Sequence, residues 1–309
     1  HGTQLRTLAH LVAAESSHAL QDESTREAHL QQALDQIPER APAPMLELRE
    51  GAQLRAARWS LDERDAGMAL ERLATLPAGM ARRTLALRAR LKAARMSHQT
   101  EQALETARLL GKHHAFSPVA AESIVRGLAI ELIGSAHDPA QLQRIWLGLE
   151  GAERAMPEIA VHAAQRLAQL DGDAAQVRAW LLPVWERLVD GPEGLGQDQK
   201  IVLIRVMENG FSATADAIDT VWLSRIEHAQ LMHPGDACLQ YLAGVACLHL
   251  QLWGKAQQLI RLSLPRLNDA GLLTRAWQVL AELAQRQGDD AQAAVAWKNA
   301  AQVTLRRRA

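Results

Sequence analysis

Residues 271–305 read GLLTRAWQVLAELAQRQGDDAQAAVAWKNAAQVTL, and this stretch decides the architecture. Trp277, Leu280, Ala281 and Ala284 recur at helical spacing and fall on one face of a helix. Gly288 and Asp289 break the periodicity. Ala293, Trp297 and Ala300 then mark the inner face of a second helix. Small side chains let two antiparallel helices approach closely, bulky aromatics plug the mouth of the pair, and glycine supplies the backbone freedom of a tight joint. On this reading Trp277 and Trp297 are core residues. One such pair cannot bury its apolar side alone, so the stretch predicts more pairs upstream.

The order of large and small positions around the glycine resembles the tetratricopeptide repeat (TPR) pattern. The chain before it supplies the expected company. Residues 5–20 and 25–37 read as one helix pair, 43–59 and 64–76 as a second, and 82–96 and 100–111 as a third. Ala66 to Ala103 and Ala256 to Ala293 are both 37 residues apart, slightly longer than the usual period of about 34. Asp138-Pro139 opens a helix with Asp as N-cap and Pro in the first turn. Residues 157–170 and 174–189 form a further pair around the turn at residues 171–173. The remaining helices cover residues 118–133, 197–208, 213–232, 237–250 and 253–267. The expected fold is all-α, a right-handed superhelical TPR-type helix-pair solenoid of about 16 helices in about eight pairs. It runs as one array over residues 1–309. Residues 1–111 are regular repeats, 112–196 an irregular middle with an insertion at 191–196, and 197–309 the C-terminal repeats.

Composition agrees. Apolar residues make up 48% and aromatics 4%, and Trp accounts for eight of the aromatics against one Tyr and two Phe. That balance favours helix over strand. A net charge of −1 sets up no global field toward nucleic acid or anionic membrane. No apolar run is long enough to span a bilayer, and no signal peptide is visible. The chain opens on His1 rather than Met, which reads as a fragment. Cys238 and Cys247 sit on one helix and read as two packed thiols rather than a disulfide.

Beyond the generic repeat, LVAAESSHALQDESTREAHLQQAL (residues 11–34), the run over residues 47–110 and the terminal VLAELAQRQGDDAQAAVAW (residues 279–297) resemble the repeats of the proteobacterial HemY family. The resemblance implies inner-membrane proteins associated with late haem and porphyrin metabolism, without an established enzymatic activity. It also implies two transmembrane helices and a basic segment upstream, so membrane attachment comes only through an N-terminal anchor outside this chain. By the positive-inside rule that basic segment holds the repeats in the cytoplasm.

Catalytic and cofactor patterns are not found. Gly191, Gly194 and Gly196 have the wrong order and setting for a dinucleotide loop. The pairs Asp171/Asp173 and Asp289/Asp290 sit in helix-to-helix turns, where aspartate caps the next helix. Neither His113-His114, in a loop, nor His228 and His233, five residues apart, has the convergence a metal requires. No G-x-S-x-G or H-E-x-x-H occurs. No catalytic, cofactor or metal residue is assigned, and the expectation is a non-enzyme.

Two grooves are assigned instead. The first helix of each TPR pair lines the concave side, which puts Arg55, Arg58, Arg88, Lys92 and Arg95 on a basic stripe, either an ordinary solvated helix face or one suited to the carboxylates of a protein partner, a peptide terminus or an acidic side-chain cluster. The equivalent positions near the other end are Cys238, Tyr241, Val245, Leu248 and His249. They make an apolar segment suited to an apolar peptide helix, to a flat macrocycle such as haem or porphyrin, or simply to packing against its neighbour. The expected function is a scaffold for protein partners, with late haem-biosynthesis enzymes implied by the resemblance. A generic adaptor in envelope assembly and a haem or porphyrin carrier are the alternatives. Trp59 and Trp253 read as packing residues, and Arg306, Arg307 and Arg308 as a disordered basic end.

Overall fold

Alanine and leucine carry the helices, and aspartate side chains start several of them. The computed structural model describes residues 2–38, 40–191, 195–211 and 217–308. All regular structure among these residues is helical. The chain packs as two units, His1–Leu132 and Ile133–Ala309. The first holds α1 (Gly2–Ala19), α2 (Glu23–Asp35), α3 (Ala43–Asp62), α4 (Ala66–Ala74), the single-turn α5 (Ala78–Ala81), α6 (Thr84–Met96), α7 (Thr100–Lys112) and most of α8 (Pro118–Gly134). The second holds α9 (Pro139–Gly148), the single-turn α10 (Gly151–Arg154), α11 (Pro157–Gln169), α12 (Ala174–Asp190), α13 (Gln197–Asn209), α14 (Ala217–Met232), α15 (Ala237–His249), α16 (Trp253–Ser263), α17 (Ala270–Arg286) and α18 (Asp290–Arg308). Without α5 and α10, sixteen helices remain among the described residues. Within the first unit α1 pairs with α2, α3 with α4 and α6 with α7; within the second α11 pairs with α12, α15 with α16 and α17 with α18. Helix-pair packing is therefore the architecture of each unit.

The caps follow the sequence. Asp138 accepts the Gln141 amide at 2.7 Å, with Pro139 at the first helical position. Asp173 and Asp289 accept amides of Ala175 and Gln292 at 3.1 and 2.9 Å. These carboxylates hold helix N-termini, as their turn positions required. Pro265 ends α16 early, at Ser263, and residues Leu264–Arg266 form a 3-10 turn. A proline ring cannot continue the α-helical hydrogen bonds. Of the insertion at 191–196, Pro192, Glu193 and Gly194 lie outside the described residues, as do positions 213–216 of the helix expected from 213.

Among the described residues, seven joints between helices share one backbone solution. Each places a residue in the left-handed region: Gln21, Arg64, His98, His114, Asp171, Gln251 and Gly288, with φ between 52° and 75°. Each next residue returns its amide to the carbonyl five positions earlier, as Asp65 does to Ser60 at 2.8 Å and Leu252 to Cys247 at 2.8 Å. This is the Schellman closure, which satisfies carbonyls orphaned at a helix end. Only Gly288 uses the residue suited to it. The left-handed conformation costs an L side chain on the order of 1–2 kcal/mol, and glycine's larger unfolded-state entropy returns part of that. Gln251 is exposed at such a joint, so Gln251→Gly should stabilise the protein by about 0.5–1 kcal/mol, read as a higher midpoint in a urea melt.

In the first unit each core cluster spans a helix pair and the helix that follows it. Leu11, Ala14, Leu30, Ala33, Ala52, Ala56 and Trp59 form one cluster, so α3 completes the α1/α2 pair. Leu54, Ala57, Leu61, Ala69, Leu73, Ala86 and Ala93 form the next, so α6 completes α3/α4. An ionic cluster crosses the first. Arg26, only 1% exposed, pairs with Glu63 and Glu27, and Glu27 also accepts from Arg72 at 2.8 Å. The Arg26 guanidinium lies 5.7 Å from the Trp59 ring centre, with His18 stacked on that ring at 5.4 Å. Trp59 is thus a core residue.

In the second unit Trp146 stacks on Trp180 at 4.6 Å, and Trp185 meets Trp222 edge-on at 5.9 Å. At Gly244 the helices α15 and α16 touch: a Cβ there would lie 2.7 Å from Ile260 Cδ1 and Cγ1. The last pair corrects two expectations. It closes through Ala281, Ala284, Ala293, Ala296 and Ala300, all at most 5% exposed. That close approach leaves Trp297 on the outside at 40% exposure and Trp277 half-buried. Trp253, also 40% exposed, is likewise not a core residue. The backbone of α18 remains helical through Arg308, so the C-terminal arginines extend a helix; the side chains of Arg307 and Arg308 lie outside the described residues.

Candidate functional site

The sequence of α6, TLALRARLKAARM, holds four cations and no acid. Its alanines and Leu87 pack inward at most 7% exposed, which leaves Arg88, Lys92 and Arg95 exposed. They share one side of the helix, at relative positions i, i+4 and i+7. The joint after α7 completes the site. His114 takes a left-handed φ of 52°, and Ala115 returns its amide to Leu110 at 3.0 Å. Pro118 then starts α8, with the Ser117 hydroxyl accepting the Ala120 amide at 3.3 Å.

This closure fixes the Ala115 carbonyl and the Phe116 ring against α6. Arg88 Nη2 donates to the Ala115 carbonyl at 2.8 Å, and its guanidinium lies 5.5 Å from the Phe116 ring centre. Around them is an open cavity of about 440 Å³, lined by Arg88, Leu91, Lys92, Arg95, Met96 and Phe116. Leu91 is buried, and Met96 and Phe116 are half-buried. The floor is apolar and the rim cationic. Among the described residues no carboxylate lies within ion-pair distance of Lys92 or Arg95.

Arg55 and Arg58 are exposed on α3 but do not line this cavity. Glu15 of α1 lies 3.5 Å from Arg55, an interleaved acid that α3 and α6 alone do not reveal. The expected stripe therefore resolves into three cations around one cavity, with Arg55 engaged elsewhere. Phe116 and Ala115 had received no role from the sequence. The available signal was a lone aromatic in a polar loop, two residues before a helix-starting proline.

The apolar groove is not open at its centre. Tyr241 is fully buried, and its hydroxyl donates to Glu208 at 2.6 Å. Glu208 also accepts from Arg275 Nε at 2.8 Å, and Arg275 donates onward to Glu282 at 2.8 Å. Burial, then the charge of Glu208, pushes the Tyr241 phenol well above its ordinary range. Val245 is buried, Leu248 is half-buried, and the half-buried His249 stacks on Phe211 at 5.4 Å. Tyr241 and Val245 thus belong to the interior of the second unit, contrary to the groove reading. The cause is α15 itself, which is enclosed by α13, α14 and α16. Along the same face Lys200 pairs with Asp236, and Arg205 with Asp269 at 2.5 Å. The cations there already have acids.

Cys238 and Cys247 are free thiols, half-buried and buried, each pushed up to about 11, chiefly by burial. Such thiols hold little thiolate at neutral pH and are poor nucleophiles. Among the described residues no group of three or more His, Cys, Asp or Glu converges as metal ligands. No described helix is long and apolar enough to cross a membrane.

No protein-family model matches the sequence, and no curated protein does. Among solved structures, the chain is similar to a tetratricopeptide repeat protein from Parabacteroides merdae ATCC 43184, at 12% identity over 97% of this chain and 93% of that one, TM-score 0.31. It is also similar to NprR in complex with its cognate peptide NprX, at 10% identity over 97% and 90%, TM-score 0.32. A third is Naa15/Naa10 bound to HypK-THB, at 12% identity over 90% of this chain and 46% of that one, TM-score 0.33. At such scores the assignment of helix-pair repeats rests on the joints, caps and packing of the chain itself.

Proposed function

We propose that this chain is the repeat region of a non-enzymatic adaptor that captures protein partners at the α6 cavity. The observation that carries the reading is the cationic rim over an apolar floor. Lys92 and Arg95 stand without acids, while Arg88 is held in place by Ala115 and Phe116. Other cations of the chain do have acids, as Arg55 with Glu15, Arg205 with Asp269 and Arg275 with Glu208. Unmatched cations beside apolar surface suit a partner that supplies carboxylates.

The resemblance to the HemY family supports a finer reading: an inner-membrane scaffold, anchored by a segment upstream of this chain, that gathers enzymes of late haem biosynthesis. A carrier of haem or porphyrin finds less support, because Tyr241 and Val245 have no open face. Capture from solubilised membranes with this chain as bait tests both levels. Porphyrin-handling enzymes are expected in the captured set, and Arg88→Glu/Lys92→Glu/Arg95→Glu is expected to lose them with an unchanged helical circular-dichroism spectrum. Capture that survives the triple reversal removes the cavity from the function. Capture of envelope-assembly proteins alone replaces the haem context with the generic adaptor.

A further inference from the structure

We infer that the α6 cavity takes an internal, extended acidic segment of its partner, with the pattern acidic–x–bulky apolar–x–acidic. The inference rests on the adaptor reading and names what the site recognises. Three observations set the pattern. Arg88 and Arg95 are two helical turns apart, about 10 Å along α6, so one carboxylate cannot serve both ends of the rim. Between them the floor of Leu91, Met96 and Phe116 asks for an apolar side chain. In an extended chain, residues i, i+2 and i+4 project from one face and span about 13 Å. Two acids flanking one apolar residue on that face then meet cation, floor and cation in turn. The small excess in span is within the reach of the long Arg and Lys side chains.

Arg88 is the anchored end. Its guanidinium is already fixed by the Ala115 carbonyl and the Phe116 ring, so binding there immobilises little more. Lys92 and Arg95, free of acids among the described residues, form the adaptable end. Nucleic acid would offer the same negative charge, but a phosphate backbone leaves the buried Leu91 floor without an apolar partner. The net charge of −1 also offers no general attraction to it.

The probe is a fluorescein-labelled heptapeptide of sequence Ser-Glu-Ser-Leu-Ser-Glu-Ser, acetylated and amidated, titrated with the whole chain by anisotropy. Saturable binding is expected, with Kd on the order of 10–100 µM and at least fivefold weaker in 300 mM than in 50 mM NaCl. Changing Leu to Ser in the peptide should weaken it about tenfold, and changing both Glu to Gln should abolish it. Phe116→Ala should weaken binding through loss of the floor and the Arg88 platform, and Lys92→Glu/Arg95→Glu should remove it. The inference is overturned by equal binding of the Leu-to-Ser or Glu-to-Gln peptides. It is also overturned by tighter binding of an oligothymidine, or by a requirement for a free C-terminal carboxylate. No peptide binding, with membrane capture still lost on triple charge reversal, sinks the pattern and spares the adaptor reading. Capture indifferent to the reversal sinks both.

Discussion

Replacing Arg26 with alanine should cost the protein about 2–4 kcal/mol, because a buried cation and its packing are lost while the carboxylates left behind stay partly solvated. Arg26 is 1% exposed and bridges Glu27 of its own helix to Glu63, which caps α3. Without the guanidinium, Glu63 loses its closest cation, Trp59 loses the positive charge over its ring, and the α1–α2–α3 junction gains a hole. Glu27 keeps Arg72 and is only partly orphaned. The control is Arg26→Met with Glu63→Gln, which removes the cation together with the carboxylate that depends on it most, leaves Glu27 with Arg72, and should recover most of the loss, because apolar groups of similar volume often replace buried ion clusters at little cost.

The pH dependence carries the same signature. Burial alone would raise the Glu27 carboxyl, but hydrogen bonds from Arg72 and Arg26 outweigh it and hold the group below its ordinary range. A depressed folded pKa means that the unfolded chain binds the proton more readily. The contribution is therefore complete at neutral pH and disappears as pH falls below about 4.3, the ordinary glutamate value, and through the folded pKa. The stability gap between wild type and Arg26→Ala, measured in urea at pH 7 and again near pH 3.5, should narrow in acid. A gap that is small at pH 7, or that widens in acid, contradicts this account of the cluster.

The second large effect is expected at Gly244. A valine there would place its Cβ 2.7 Å from two carbons of Ile260 and 3.2 Å from the Ile260 backbone nitrogen. The side chain can yield, but the main chain of α16 yields only if the helices separate. Overpacking of this kind costs about 1–3 kcal/mol, and Gly244→Val belongs at the upper end because the obstacle includes backbone. The loss should be strongly non-additive with Ile260→Ala, by about 1 kcal/mol or more in a double-mutant cycle. Simple additivity would mean that α15 and α16 do not meet at this point.

How much of this was readable from the chain depended on how far the deciding information lay from the residue concerned. Asp138, Asp173 and Asp289 were readable as caps because a cap is decided by its own helix start. So was the cation-rich side of α6, since its alanines assign the opposite side to the core. Arg55 was misjudged because its acid, Glu15, lies two helices earlier. Tyr241 and Val245 could be read as groove or as packing, and the structure resolves them to packing, because ten of the thirteen residues of α15 are buried. Helical periodicity distinguishes an inner side from an outer one only when an outer one exists. Trp297 was misjudged for the opposite reason: the alanines of α17 and α18 seal the pair so closely that the indole has no room within it. Breaks between helices were readable, as at 171–173, but the left-handed residue in the six joints without glycine was not, because their bonds run between main-chain atoms.

That last feature bears on how such a chain ages. A bend written in amides and carbonyls favours glycine by only on the order of 1 kcal/mol and otherwise accepts many residues. Copies of an ancestral hairpin can then drift independently, exchanging glycine for glutamine, histidine or arginine at modest expense, and still fold back on themselves at the same place. Resemblance among the copies fades long before their geometry does.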